Sequence, residues 1–183
     1  MEDRHIIRLL FERTEAAIDA LAKKFGKRLY ATAMNILGNP QDAEECVNDT
    51  YLALWNTIPP QQPDPLSAYT YRVGRNTALN RLRNSTAQKR NSTYDLSLEE
   101  LAGCIPDSSL EETLDARELG RAINAFLEAQ NRESRTIFLK RYWFGDSVNA
   151  IARSLSMKPG TVSVRLSRLR SALADYLNKE GFL

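Results

Sequence analysis

The sequence predicts an all-α protein of two small helical domains joined by a polar linker, and three observations predict it. Apolar residues recur at the three- and four-residue spacing that lines one face of a helix, and no run alternates apolar with polar as a half-buried strand would. The run Pro59-Pro60-Gln61-Gln62-Pro63-Asp64-Pro65 and the polar residues 85–110 interrupt these patterns with residues that lack a backbone donor or favour solvent. At 183 residues and 43% hydrophobic content, the chain is long and apolar enough to build two cores.

A first helical stretch carries Ile7, Leu10, Phe11, Ile18, Leu21 and Phe25, and a second carries Tyr30, Met34 and Leu37 before Gly38-Asn39-Pro40 ends it. A third helix begins near Gln41 and Asp42. There Asp42, Glu44 and Glu45 meet the positive end of the helix dipole, and Ala43, Val47, Leu54 and Trp55 form the buried side. The proline run makes a stiff loop. A fourth helix spans Leu66 to Asn84, with Tyr71, Ala78 and Leu82 on one side and Arg72, Asn76, Asn80 and Arg83 on another. Residues 85–110 then have a linker's composition around one short apolar patch, Leu96, Leu98 and Leu101, with a turn at Pro106. The second domain is patterned by Leu114, Leu119, Ile123, Phe126 and Leu127, then by Ile137, Leu139, Tyr142 and Trp143. The expected division is a first domain over residues 1–90, a linker over 91–112 and a second domain over 113–183.

The end of that domain reads as a helix-turn-helix. Val148, Ile151, Ala152 and Leu155 stand at i, i+3, i+4 and i+7 on a short helix, and Leu155-Ser156-Met157 makes a tight turn. Pro159 suits the first turn of a second helix whose inner face is Val162, Leu166, Leu169 and Leu173. Its outer face displays Thr161, Ser163, Arg165 and Arg168, side chains able to bond base edges and phosphates from a major groove. The plainer alternative is a helical hairpin with a solvated basic face.

The net charge of +2 conceals two acid-free blocks. One, residues 66–93, holds Arg72, Arg75, Arg81, Arg83, Lys89 and Arg90; the other, residues 147–174, holds Arg153, Lys158, Arg165, Arg168 and Arg170. Two basic blocks on a nearly neutral chain point to two contacts with a polyanion, because phosphate neutralisation rewards local clustering. Two distant cysteines and one histidine, His5, do not make a disulfide framework or a metal site, and no metal or cofactor is expected. No phosphate-loop, metalloprotease or dinucleotide motif is present, so no enzymatic activity is expected. No apolar run is long enough to span a bilayer and no signal peptide is seen, so the expected location is the cytoplasm without membrane insertion.

Three stretches resemble the same family, the extracytoplasmic-function group of sigma factors, each at its expected place. Residues 39–55, Asn-Pro-Gln-Asp-Ala-Glu-Glu-Cys-Val-Asn-Asp-Thr-Tyr-Leu-Ala-Leu-Trp, resemble the region 2 helix that binds the polymerase clamp. Residues 69–83, Tyr-Thr-Tyr-Arg-Val-Gly-Arg-Asn-Thr-Ala-Leu-Asn-Arg-Leu-Arg, resemble the next helix, which melts and reads the minus-10 element. Residues 137–173 resemble region 4, whose helix-turn-helix reads the minus-35 element and docks on the polymerase flap.

The resemblance implies a transcription initiation factor whose partners are core RNA polymerase, promoter DNA and an anti-sigma factor. It assigns polymerase binding to Asp42, Glu44, Glu45, Asp49, Leu54 and Trp55, where charge steers encounter and an aromatic anchors it. Helix-end stabilisation for the acids and core packing for Trp55 are the alternatives. It assigns the minus-10 strand to Tyr69, Arg72, Arg75, Asn76, Asn80 and Arg83, with Tyr69 available to stack on unpaired bases and Tyr71 better placed for the core. It assigns the minus-35 duplex to Lys158, Thr161, Ser163, Arg165 and Arg168. The proline loop would shape a pocket for one flipped base. The linker acids Asp95, Glu99, Glu100, Asp107, Glu111 and Glu112 are either a solvated connector or, by the same analogy, mimic nucleic acid inside the polymerase channel. Asn80, Ser156 and Ser163-Val164 depart from the family pattern, so its promoter preference does not transfer. The competing reading is a free-standing helix-turn-helix regulator, which would bind promoter DNA without polymerase.

Overall fold

The computed structural model describes residues 2–84, 93–102, 104 and 113–182. Lys89, Arg90, the turn expected at Pro106 and the acids Asp107, Glu111 and Glu112 lie outside them, as do the side chains of Asp95 and Leu114. The described residues are helical, without strands, and form two compact units, Met1–Ser92 and Thr93–Leu183.

In the first unit, α1 (Asp3–Phe11) ends where Arg13 takes a left-handed φ of 55° and Thr14 returns its N–H and hydroxyl to the Leu9 carbonyl. The first helical stretch is therefore broken, and α1 buries Ile6 and Leu10 while Phe11 is 37% exposed. The next helix, α2 (Ala16–Leu21), passes through a π turn (Ala22–Gly26) into α3 (Lys27–Leu37). Gly38 closes α3 with a φ of 67°, a conformation glycine adopts without a Cβ clash. Asn39 then caps α4 (Pro40–Thr57), its side-chain oxygen accepting from the Gln41 and Asp42 N–H groups, with Pro40 in the first turn. After the proline loop comes α5 (Leu66–Asn84). The core gathers Ile6, Leu10, Leu21, Phe25, Leu29, Leu54, Ile58 and Leu66 from all five helices.

The inner side of α5 is Leu66, Thr70, Gly74 and Ala78, a stripe of mostly small residues that lets three helices meet closely. A Cβ on Gly74 would lie 2.5 Å from Leu29 Cδ2 and 3.5 Å from the Thr50 side chain. Gly74→Ala should therefore lower the unfolding free energy of this unit by about 1–2 kcal/mol, overpacking outweighing the helix propensity that alanine adds. Urea unfolding followed by Trp55 fluorescence in a Trp143→Phe background measures it.

The second unit starts within the residues expected to form the linker. Thr93–Ala102, expected within the linker, forms a helix, α6, whose Ser97 and Leu101 are buried while Leu96 and Leu98 are exposed. Leu101 joins the core of α7 (Thr113–Ala129), α8 (Arg132–Phe138), the π turn Leu139–Trp143, α9 (Val148–Ser154) and α10 (Pro159–Lys179). A buried polar contact holds α6 there. Arg141, 4% exposed, donates to both carboxylate oxygens of Glu100 at 2.5 and 3.2 Å and to the Asp146 carbonyl at 3.2 Å. Tyr142 and Arg170 also donate to Glu100, at 3.2 and 3.3 Å. Glu100 is thus a structural partner of the second unit, not a solvated or nucleic-acid-like acid of a connector.

Candidate nucleic-acid interface

On α5 the residues expected to hold a separated strand divide by exposure. Arg72, Asn76, Asn80 and Arg83 are exposed along one face, while Arg75 and Tyr69 are half-buried. Tyr69 packs against the core of the first unit and the Arg72 guanidinium lies 5.2 Å from its ring centre, so stacking on a base requires Arg72 to swing aside. Tyr71 packs edge-on to Phe25 at 5.7 Å, in keeping with a core role. Arg81, counted above in the basic block, is committed within the unit. It donates to Glu45 at 2.9 Å and to Asp49 at 2.9 and 3.2 Å, tying α5 to α4.

That bridge also divides the acids of α4. At about 100° per residue, Glu44, Asn48, Leu52 and Trp55 share a stripe, whereas Glu45 and Asp49 face Arg81. Asp42 is half-buried in the first turn. Leu54 is fully buried, so it is a core residue and not part of a docking face; the stripe that contains Ala43, Cys46 and Thr50 also contains it. Leu52 takes the exposed place instead, at 58%. It lines a groove of about 570 Å³ between α2 and α4 with Ile18, Tyr51 and Trp55, rimmed by Glu15 and Asp19. Arg13 stacks over the half-buried Trp55 ring at 5.2 Å and donates to its carbonyl. Apolar periodicity reports the buried side of this helix and so does not single out Leu52. A leucine opposite the stripe Ala43, Cys46, Thr50 and Leu54 was the available signal.

In the second unit the helix-turn-helix is well defined. The Ser147 hydroxyl caps α9 by accepting from the Ala150 N–H at 3.2 Å. Ser156 turns the chain with a φ of 54°, where a left-handed residue is needed, and Pro159 opens α10. Val162, Leu166, Leu169 and Leu173 are all buried. Lys158, Thr161, Ser163 and Arg168 are exposed on the outer side. Arg165 is half-buried and ion-paired with Glu133 of α8, and Arg170 turns away to Glu100 and to the Tyr142 hydroxyl, 2.9 Å distant. Burial pushes the Tyr142 hydroxyl up to about 12, keeping it a neutral donor to Glu100. The exposed basic surface of this block is therefore narrower than the sequence count, and it comprises Arg153, Lys158 and Arg168. Among the described residues no helix is long and apolar enough to cross a membrane.

Residues 21–88 match the family model Sigma-70 region 2. The ECF RNA polymerase sigma factor SigE of Mycolicibacterium smegmatis is 28% identical over 165 residues, covering 89% of this chain and 62% of that protein. The chain thus spans about three fifths of the length of that curated relative. The solved structure of CnrH in complex with the cytosolic domain of CnrY overlaps 97% of each chain with a TM-score of 0.44 and 21% identity. The segment from the end of α2 through α5 is thus similar to sigma-70 region 2, and the relative that covers 89% of this chain is an extracytoplasmic-function RNA polymerase sigma factor.

Proposed function

We propose that this chain binds core RNA polymerase and directs it to promoters, opening the DNA without chemistry of its own. The observation that carries this is the exposed, acid-free face of α5, Arg72, Asn76, Asn80 and Arg83, within the segment that matches region 2. The likeness to an RNA polymerase sigma factor of Mycolicibacterium smegmatis supports the same reading. Cations and amides along one helix suit a single strand's phosphates and base edges, and Tyr69 adds a stacking surface once Arg72 moves. Arg75, at the edge of that face, serves as a secondary contact. Duplex reading upstream falls to α10, through Lys158, Thr161, Ser163 and Arg168, with Arg165 joining when Glu133 releases it.

Polymerase docking falls to the stripe Glu44, Asn48, Leu52 and Trp55 with the acidic rim of the groove, a surface matched to a basic partner with an apolar ridge. The clamp coiled coil is that partner, and region 4 engages the flap. An anti-sigma factor that covers both DNA faces, and a cytoplasmic location, complete the reading by family likeness.

The test is permanganate footprinting of unpaired thymines on promoter DNA with core polymerase, with and without the chain. Opening should depend on the chain. The pair Arg72→Ala and Asn80→Ala should together lower it about tenfold while leaving polymerase binding unchanged, since two strand contacts are lost. Opening that these substitutions leave untouched would overturn the assignment of α5.

A further inference from the structure

On the solvent side of α10 one residue does not fit a basic, phosphate-binding face. Val164 is 51% exposed in the middle of an otherwise polar, acid-free surface. The buried stripe Val162, Leu166, Leu169, Leu173 and Leu177 faces one direction, and at about 100° per residue Val164 points to the opposite side of the helix. Thr161 and Arg168 flank it at i−3 and i+4, both exposed, while Arg165 leans toward Glu133. A groove floor meeting this helix squarely therefore meets a valine first, with a hydroxyl on one side and a guanidinium on the other.

We infer that Val164 reads the 5-methyl group of a thymine in the duplex element recognised by α10. Among the four bases only thymine presents a methyl group in the major groove, the rest offering donors and acceptors alone. Against thymine the valine buries apolar surface on apolar surface. Against cytosine it would desolvate the amino group without supplying a partner, which discriminates by an unmade hydrogen bond. Thr161 to Arg168 covers about 10 Å of helix, close to three base steps, so the thymine lies within that distance of the base or phosphate that Arg168 holds. The inference rests on the proposed function only in taking α10 as the duplex-reading helix.

The test lets the full chain, with and without core RNA polymerase, select duplexes from a library randomised over the upstream promoter element. Each thymine of the selected element is then replaced singly by deoxyuridine, which removes the methyl group and nothing else. At one position the replacement should weaken binding about fourfold, the worth of one buried methyl group. In Val164→Ala the same replacement should leave binding unchanged, and because the side chain is exposed the variant's melting curve should match the parent's. Equal loss in both proteins, or no position sensitive to deoxyuridine, would overturn the inference. Polymerase association reports separately on the proposed function: a Val164-dependent thymine effect in a chain that neither binds core polymerase nor supports opening keeps the inference and sinks that reading, while polymerase-dependent opening with no thymine effect does the reverse.

Discussion

Glu100→Ala should destabilise the second unit by about 2–3 kcal/mol, an unusually large effect for a residue that the sequence places in a polar connector. Its carboxylate is the acid that faces Arg141, whose guanidinium is almost wholly buried. Removing the acid leaves a desolvated cation that keeps its hydrogen bond to the Asp146 carbonyl but loses its carboxylate partner. Breaking one side of a buried pair costs about 3–5 kcal/mol, and the partial exposure of Glu100 brings the expectation to the lower figure. Urea unfolding followed by Trp143 fluorescence in a Trp55→Phe background measures it, with Glu99→Ala, an exposed neighbour, as a control expected to shift stability by less than about 0.5 kcal/mol.

A pH dependence follows from the same contact. Burial alone would raise the Glu100 pKa, but hydrogen bonds from Arg141 and Tyr142 and the charges of Arg141 and Arg170 outweigh it and hold the carboxyl below its usual 4.5. A depressed acid contributes stability that is fully present above its unfolded pKa and is lost as pH falls through the folded one. The second unit should therefore begin to weaken below about pH 4.5, and Glu100→Gln should flatten that part of the profile.

The second large effect concerns the polymerase. Leu52→Ala should weaken binding to core RNA polymerase by about 2 kcal/mol, roughly 30-fold, with unfolding unchanged because the side chain is exposed. Replacing Glu15 and Asp19 by Gln and Asn should instead slow association and reduce its salt sensitivity, as rim charges do. Fluorescence titration of labelled chain against core polymerase at two salt concentrations separates the two. Leu52→Ala binding as tightly as the parent would remove the α2–α4 groove from the docking surface.

What was legible in the sequence was what local spacing controls. Val148, Ile151, Ala152 and Leu155 announced α9 because a single helical face carries them, and Val162, Leu166, Leu169 and Leu173 fixed the buried side of α10 in the same way. Arg72, Asn76, Asn80 and Arg83 were legible as a polar face of α5 for the same reason. Contacts between distant residues were not legible. The patch Leu96, Leu98 and Leu101 is too short to declare a helix, and α6 is held by Glu100 reaching a residue 41 positions away. Arg81, Arg165 and Arg170 looked alike as free cations until Glu45, Asp49, Glu133 and Glu100 met them. The break after Phe11 contains neither glycine nor proline, since Arg13 itself takes the left-handed conformation, and so it gave no local sign. Leu54 and Leu52, two positions apart, exchange core and surface roles because helical phase turns by about 200° over that interval.

The proposed function is to give core RNA polymerase its promoter specificity. Run-off transcription by core polymerase on a promoter template, with and without the full chain, tests it most directly. A discrete transcript should appear only with the chain and be lost when Leu52→Ala and Asn80→Ala are combined. Sequence-specific duplex binding by the chain alone, with no association to core polymerase and no transcript, would contradict it and identify a free-standing helix-turn-helix regulator.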